Sequence, residues 1–443
     1  MPIRCRAIIP LLLLALAIAG CAQQQPAAQG TNAAGCGLDS PQYADGIGMN
    51  TTLLAIFQDN LMACMDNGSA FDNARALSLM DSFVSETATG ISQLDSANPL
   101  LSNNLAIRND LLRMLVMQRM NASYAPDFGP VLAKIHKYGF KSDGYTTWYE
   151  GSGYLIYTLA AVRQANTHFD NAELRDFETS SVRWLGDFAL PDGTLAPIGD
   201  TALDEKCAFC TQNASDRVVF TDHETAVVFG NGTGYLLFRH PLNNTAPASA
   251  IRNDLHTQFD FGSLWLWYNG SWLIRPIGYP DYALKTSSGL DDKYDYNIQS
   301  ADRIGGDFTQ ADFNNMDALR YLGSWRAVTA SVIPADAVQR NDYPDRYELS
   351  FSYSLNSGPG GTYENYSRKV LLYKGRNDLE IIDDGPQNAS SYIMVSENVN
   401  VTSSSGVTCD DGGKWSPAWG VVNGSRRCAI GPGPTLDYSV RWQ

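Results

Sequence analysis

Residues 254–282 read DLHTQFDFGSLWLWYNGSWLIRPIGYPDY, and this stretch decides the fold. Asn269-Gly270 between two apolar runs is a strong signal for a two-residue hairpin turn. Both runs are apolar at nearly every position, which predicts a strand pair buried on both faces. The turn sets the register: Tyr268 with Ser271, Trp267 with Trp272, Leu264 with Arg275 and, if the register persists, Asp260 with Tyr279. Side chains alternate along a strand, so His256, Gln258 and Asp260 share one face, and Arg275 and Tyr279 join it. Polar groups at that depth cost free energy unless they are paired. An Asp260–Arg275 ion pair with His256 as a satisfied neighbour explains them structurally; a functional site explains them otherwise.

Working outward from the hairpin, the chain changes period once. Apolar residues at three- and four-residue spacing predict helices near 51–65, 72–87, 103–119, 128–137, 148–165 and 172–188. Gly and Pro punctuate them, as at Gly129-Pro130 and Gly139. From Arg217 onward short strands are expected at 218–220, 225–229, 235–238, 259–268, 272–274, 327–333, 347–353, 370–373, 379–382 and 392–395. Helices followed by strands predict an α+β chain in separate domains, with the boundary around 200–215. The acidic stretch 286–318, rich in Gly, Asp and Asn, reads as a long surface loop.

The chain has 443 residues, 44% hydrophobic and 18% charged, enough to bury a large core. Its formal net charge of −15 argues against a general nucleic-acid binder, whose phosphate contacts need Lys and Arg. The first residues read as an address: Arg4 and Arg6, an apolar run from Ile8 to Ile18, then Ala19-Gly20-Cys21. Residues 1–20 are expected to be a lipoprotein signal, with Cys21 as the lipidated residue and 21–35 as a flexible tether. Ala22 after Cys21 predicts an outer-membrane lipoprotein facing the periplasm or the cell surface. Cys5 leaves with the signal. The six remaining cysteines suit an exported chain, and proximity favours the pairs 36–64, 207–210 and 409–428. Cys207-Ala-Phe-Cys210 reads as a structural loop disulfide in preference to a redox or metal pair.

The hairpin segment resembles the signature of the heparinase II/III-like proteins, through His256, Asp260, Ser263, Asn269-Gly270 and Gly278-Tyr279. A second block agrees: Asp143-Gly144-Tyr145, then Glu150-Gly151-Ser152-Gly153-Tyr154 and Tyr157. Pro197-Ile198-Gly199-Asp200 and the stretch from Leu371-Leu372 to Leu379-Glu380-Ile381-Ile382-Asp383 resemble later blocks in the same order. The resemblance implies a helical α/α toroid-like domain, here shortened and incomplete, over 36–205. An antiparallel β-sandwich would follow over 206–443, with an active cleft between them. It further implies a polysaccharide lyase that cleaves a uronic-acid polymer by β-elimination. Zinc-containing members use positions that here carry Gln258, Arg275 and Tyr296; Gln is a poor zinc ligand and Arg repels a cation, so neither a metal nor another cofactor is expected.

Within that reading Tyr154 and His256 are the candidate catalytic residues. Tyr154 matches the family's catalytic tyrosine, and a nearby cation would help it ionise; Arg275, Arg252 or Arg108 could supply one. The ordinary pKa of His256, about 6.5, suits a base or a carboxylate partner. Asn104 and Arg108 share a helix face. With Tyr157, Arg252, Arg275 and Tyr279 they are the candidate substrate-binding residues. Glu150, Asp200 and Asp260 are expected to orient neighbours. Two other readings stay open: a glycoside hydrolase with Glu150 and Asp200 as its carboxylate pair, and a carbohydrate-binding lipoprotein without activity.

Overall fold

The computed structural model describes residues 51–81, 104–148, 151–199, 201–207, 210–211, 213–240, 263–279, 299–301, 332–334, 338–356 and 363–443. They divide into two compact units, the first holding 51–81, 104–139 and 154–179, the second the remainder.

The first unit is helical: α1 (Thr51–Asp66), α2 (Asn104–Met120), α3 (Gly129–Tyr138), most of α4 (Ser152–His168) and the first half of α5 (Ala172–Phe188). These spans follow the three- and four-residue spacing. Pro130 opens α3, where its missing N–H costs nothing. The Asn171 side chain accepts the backbone N–H groups of Glu173 and Leu174, capping α5. Helix α2 is buried on most sides, with Leu105, Ile107, Leu111, Leu112, Leu115 and Val116 in the core. Gln58 of α1 donates to the Leu105 carbonyl at 2.9 Å, and Gln164 of α4 to Asp66 of α1 at 3.0 Å, so polar pairs pin the packed helices.

The second unit opens with a feature the helical period hides. Residues 139–148 form the hairpin β1 (Gly139–Ser142) and β2 (Tyr145–Trp148). Asp143 (φ 52°) and Gly144 (φ 80°) both sit in the left-handed region that a tight hairpin turn requires. Helix α4 accordingly starts at Ser152, four residues after the expected 148.

Two antiparallel sheets make most of the rest of this unit. One runs in the order β16 (Val407–Ala418), β17 (Val421–Ile430), β14 (Ala389–Val395), β7 (Ser271–Ile274), β6 (Leu264–Tyr268), β5 (Gly234–Arg239), β4 (Glu224–Phe229), β3 (Arg217–Phe220), with β8 (Gln299–Ala301) also on β14. The other runs β10 (Gln339–Asp342), β11 (Arg346–Asn356), β12 (Tyr363–Tyr373), β13 (Asp378–Asp384), β18 (Thr435–Trp442), β15 (Val399–Ser403), with β9 (Val332–Pro334) on β11. Strand β8 interrupts the expected 286–318 loop; the rest of that stretch lies outside the described residues. Leu236, Phe238, Leu266, Ile274 and Val395 of the first sheet share one core with Phe351, Val370, Leu379, Ile381 and Val440 of the second. Each such side chain contributes about 1.5–3 kcal/mol on full burial. One buried polar knot crosses this core. Arg368 grips Asp383 through two 2.7 Å bonds, Tyr438 donates to the same carboxylate at 3.1 Å, and Ser391 of the facing sheet donates to it as well. The pair is fully enclosed, so each charge depends on the others for its solvation.

The disulfides Cys207–Cys210 and Cys409–Cys428 are formed as proximity suggested, the second tying β16 to β17. Cys64 is disulfide-bonded too; Cys36, its expected partner, lies outside the described residues.

Candidate functional site

The hairpin β6–β7 turns on Asn269 (φ 47°) and Gly270 (φ 83°) and pairs Tyr268 with Ser271 and Trp267 with Trp272, as its sequence predicts. A bulge then intervenes, and Leu266 pairs with Ile274. The shift of one residue moves Arg275 out of the register that pairs it with Leu264, and a one-residue slip changes the face a side chain occupies. Arg275 accordingly turns to the neighbouring hairpin. Its Nη1 donates to Ser425 Oγ at 3.0 Å, and its guanidinium lies 4.6 Å from the centroid of the Trp415 ring. Burial pulls the Arg275 pKa down, and the charge of Glu397 pushes it back up. A half-buried guanidinium held in this way does not fit a zinc-ligand position. Tyr279 is fully buried, its ring 5.6 Å from that of Trp419 and tilted 64° to it. Its phenol is therefore not presented at the surface as an open contact for a ligand.

The glycine-rich blocks meet in space. Gly151 bridges Gly199 as an isolated antiparallel pair, and Ser152 N donates to the Ile198 carbonyl at 3.2 Å. A Cβ on Gly151 would stand 2.2 Å from that carbonyl oxygen, and its φ of 108° is one that L side chains rarely adopt. Thr201 Oγ1 accepts the Gly153 N–H at 3.1 Å and donates to the Ile198 carbonyl at 2.6 Å. The glycines of the Glu150–Tyr154 block thus let the turn at 197–199 close onto the first residues of α4, from which Tyr154 follows directly in the chain.

Within the helical unit, Tyr154 is 3% exposed and Tyr157 half-buried. Arg108 lies with its guanidinium 5.8 Å from the Tyr157 ring centroid and pairs with Asp59. At 1% exposure it is a buried support for Tyr157 and Asp59, not an open contact for a substrate. Asn104, one turn earlier on α2, is 3% exposed. Two of the expected residues, Arg108 and Tyr157, are thus brought together here. Cys21, Glu150, Asp200, Arg252, His256 and Asp260 lie outside the described residues, as do Gln258 and Tyr296.

Other ionisable groups gave no signal in the sequence. Burial, reinforced by the charge of Asp204, pushes the Glu205 carboxyl up to about 7, a value at which it is about half protonated at neutrality. A cluster gathers the buried His240, Thr225, His223, Glu224 and Arg239 with the half-buried Arg340 near the ends of β4, β5 and β10. Such groups become visible only once the strands are in place, since Arg239 meets Glu224 from 15 residues away and Arg340 meets Thr225 from 115.

Neither a protein-family model nor a curated protein matches the sequence. Among solved structures the chain is similar to the crystal structure of heparinase III, at 13% identity and a TM-score of 0.52. The match covers 91% of this chain and 71% of the other. The helical unit and the two-sheet sandwich together therefore have a heparinase III-like fold.

Proposed function

We propose that the protein is an exported, lipid-anchored polysaccharide lyase that cleaves a uronic-acid-containing polymer by β-elimination, with its lipid on Cys21 in the outer membrane. The observation that carries this reading is the heparinase III-like fold over 91% of the chain, coinciding with motif blocks in the same order along the sequence. The packing of Gly151 against Ile198 and Gly199 gives those blocks a physical reason to occur together.

The reaction sets three tasks. The uronate carboxylate must be neutralised so that the C5 proton becomes acidic. A base then takes that proton while the C5–H electron pair forms the C4–C5 double bond. The C4–O bond breaks, and an acid protonates the departing glycosidic oxygen. Tyr154 and His256 are proposed as the acid–base pair, with Arg252 as the carboxylate partner and Asn104 as an amide donor. Arg108, in its buried pair with Asp59, supports Tyr157 from below. Placed acids and bases contribute about 10²–10⁴-fold, and charge stabilisation of the enolate is usually the larger share.

The test is a panel of alginate, pectate, glycosaminoglycans and bacterial exopolysaccharides, read by ultraviolet absorbance of the unsaturated product. Wild type is expected to generate that signal on an acidic polymer, and Tyr154→Phe and His256→Ala each to lower it by at least about 100-fold. Full activity in both variants would remove the site assignment. New reducing ends without ultraviolet absorbance would replace elimination by hydrolysis.

A further inference from the structure

The tip of the β16–β17 hairpin carries a tryptophan where turn chemistry asks for none. Gly420, at φ 72°, supplies the left-handed step, and Asn, Asp or Ser would serve beside it. Trp419 occupies that place instead, and Trp415 lies four residues before it on β16; both rings are half-buried. Large aromatic side chains are usually drawn into a core, so two at the end of a hairpin need a reason.

The contacts of this tip supply one. Ser416 N donates to the Ile277 carbonyl at 2.7 Å, and a Cβ on Gly278 would stand 2.2 Å from the Ser416 carbonyl oxygen, so only glycine admits the hairpin this closely. Trp419 meets Tyr279 edge to face, and its backbone N–H points to Asp204 at 3.4 Å. Trp415 stacks on Arg275, which Ser425 of the returning strand holds. Three segments far apart in sequence therefore close on one another: 203–204, 275–279 and 415–425. All lie in the second unit. Their outer residues include Asp204, Gly420, Val421 (40% exposed), Asn423 and Gly424.

We propose that this hairpin tip is a glycan-binding platform: Trp419 presents a ring face to a sugar unit, Asp204 and Asn423 take its hydroxyls, and Arg275, stacked on Trp415, takes a uronate carboxylate. The chemistry is that of a carbohydrate site, a rigid apolar surface with a few fixed polar groups at its border. The guanidinium–carboxylate pair gives it a preference for acidic sugars. The choice of an acidic glycan rests on the lyase reading above; the platform itself rests on the contacts just described. Trp415 also packs with Val422 against Ile277 and Met394, so a purely structural role is the competing outcome.

The experiment uses the full chain, titrated with short oligogalacturonates, oligomannuronates and neutral cello-oligosaccharides by calorimetry and indole fluorescence. Thermal midpoints are measured alongside. Trp419→Ala is expected to weaken acidic-oligosaccharide binding about tenfold or more, and Trp419→Phe to recover most of it. Arg275→Gln should weaken acidic ligands while sparing neutral ones. Saturating ligand should change the wild-type indole emission. Unchanged affinity in Trp419→Ala overturns the proposal. So does equal loss in the Ala and Phe variants that tracks a fallen thermal midpoint, an absence of oligouronate binding, or an indifferent indole emission. Ultraviolet assays run in parallel separate the two ideas. Elimination with Trp-independent binding sinks the platform alone; Trp-dependent binding without unsaturated product sinks the lyase alone.

Discussion

Glu205 shows how one side chain can acquire a property that no sequence pattern announces. Its carboxyl is pushed up to about 7, first by burial and then by the neighbouring charge of Asp204. The folded chain therefore holds this proton more tightly than the unfolded chain, whose value is near the ordinary 4.5. The stability it lends is fully present below about 4.5 and is lost as pH rises through about 7. Glu205→Gln keeps the neutral form at every pH and should leave the urea midpoint almost unchanged at pH 4.5. It should raise the midpoint above wild type at pH 8.5, by an amount on the order of 3 kcal/mol at most. Equal midpoints at pH 8.5 would show that the carboxylate is solvated. The sequence pointed instead to Glu150 and Asp200, because motif matching finds carboxylates by position, whereas burial depends on what the fold lays over them. Arg108 illustrates the same limit: its helical spacing from Asn104 was legible, but not that Asp59 of another helix would claim its charge.

At the level of elements, the Asn269-Gly270 turn was legible because only a few residues tolerate two successive left-handed positions. The bulge beyond it was not, since nothing in Leu266-Trp267 marks where a ladder slips by one. Hairpin β1–β2 falls in the gap between the helices expected at 128–137 and 148–165, and no strand is expected where β15 to β18 lie. In β18 the apolar–polar alternation is nonetheless clear in its burial. A device joining two strands emerges only from the pairing. His240 at the end of β5 bonds Thr225 Oγ1 of β4 through Nε2 at 2.7 Å, and its Nδ1 faces the Asp222 carbonyl at 3.3 Å. Arg340 of β10, in the opposite sheet, donates to the same Thr225 Oγ1 at 2.9 Å and to the Thr221 carbonyl at 3.1 Å. With the threonine hydroxyl accepting from Arg340, its proton goes to a neutral imidazole, which donates from Nδ1. Burial drives the His240 pKa well below 6.5, and the charges of Arg340, His223 and Arg239 drive it further, against a smaller upward pull from the Asp222 carbonyl. The nearby Glu224 carboxylate is itself committed to Arg239 and Thr221. The stability owed to neutral His240 is present above pH 6.5 and is lost as pH falls toward its folded value. His240→Gln should cost stability at pH 7.5 yet flatten the decline between pH 6.5 and 4.5. A denaturation series in which both proteins lose midpoint in parallel would exclude His240 as the acid-sensitive group.

For the whole molecule, charge and proposed substrate pull in opposite directions. The chain carries −15 formally, and removal of Arg4 and Arg6 with the signal would leave −17 (−15 − 2). A polyanion approaching such a surface is repelled at long range, and local cations such as Arg275 act only once it is close. Proteins that bind acidic polymers through broad basic surfaces lose affinity as salt rises, because counterions compete for each contact. Here the first effect of salt should be the reverse. The screening length falls from about 30 Å at 0.01 M to about 8 Å at 0.15 M, which removes repulsion across the surface while sparing close, partly buried ion pairs. The KM for an acidic polymer should therefore fall between those ionic strengths and rise again only toward 1 M, with kcat nearly constant. Initial rates by ultraviolet absorbance over a sodium chloride series would measure it. A KM that climbs steadily from the lowest salt would mean that a basic surface, not a shielded local cluster, gathers the substrate. A KM indifferent to salt on every polymer would move the substrate class toward neutral glycans.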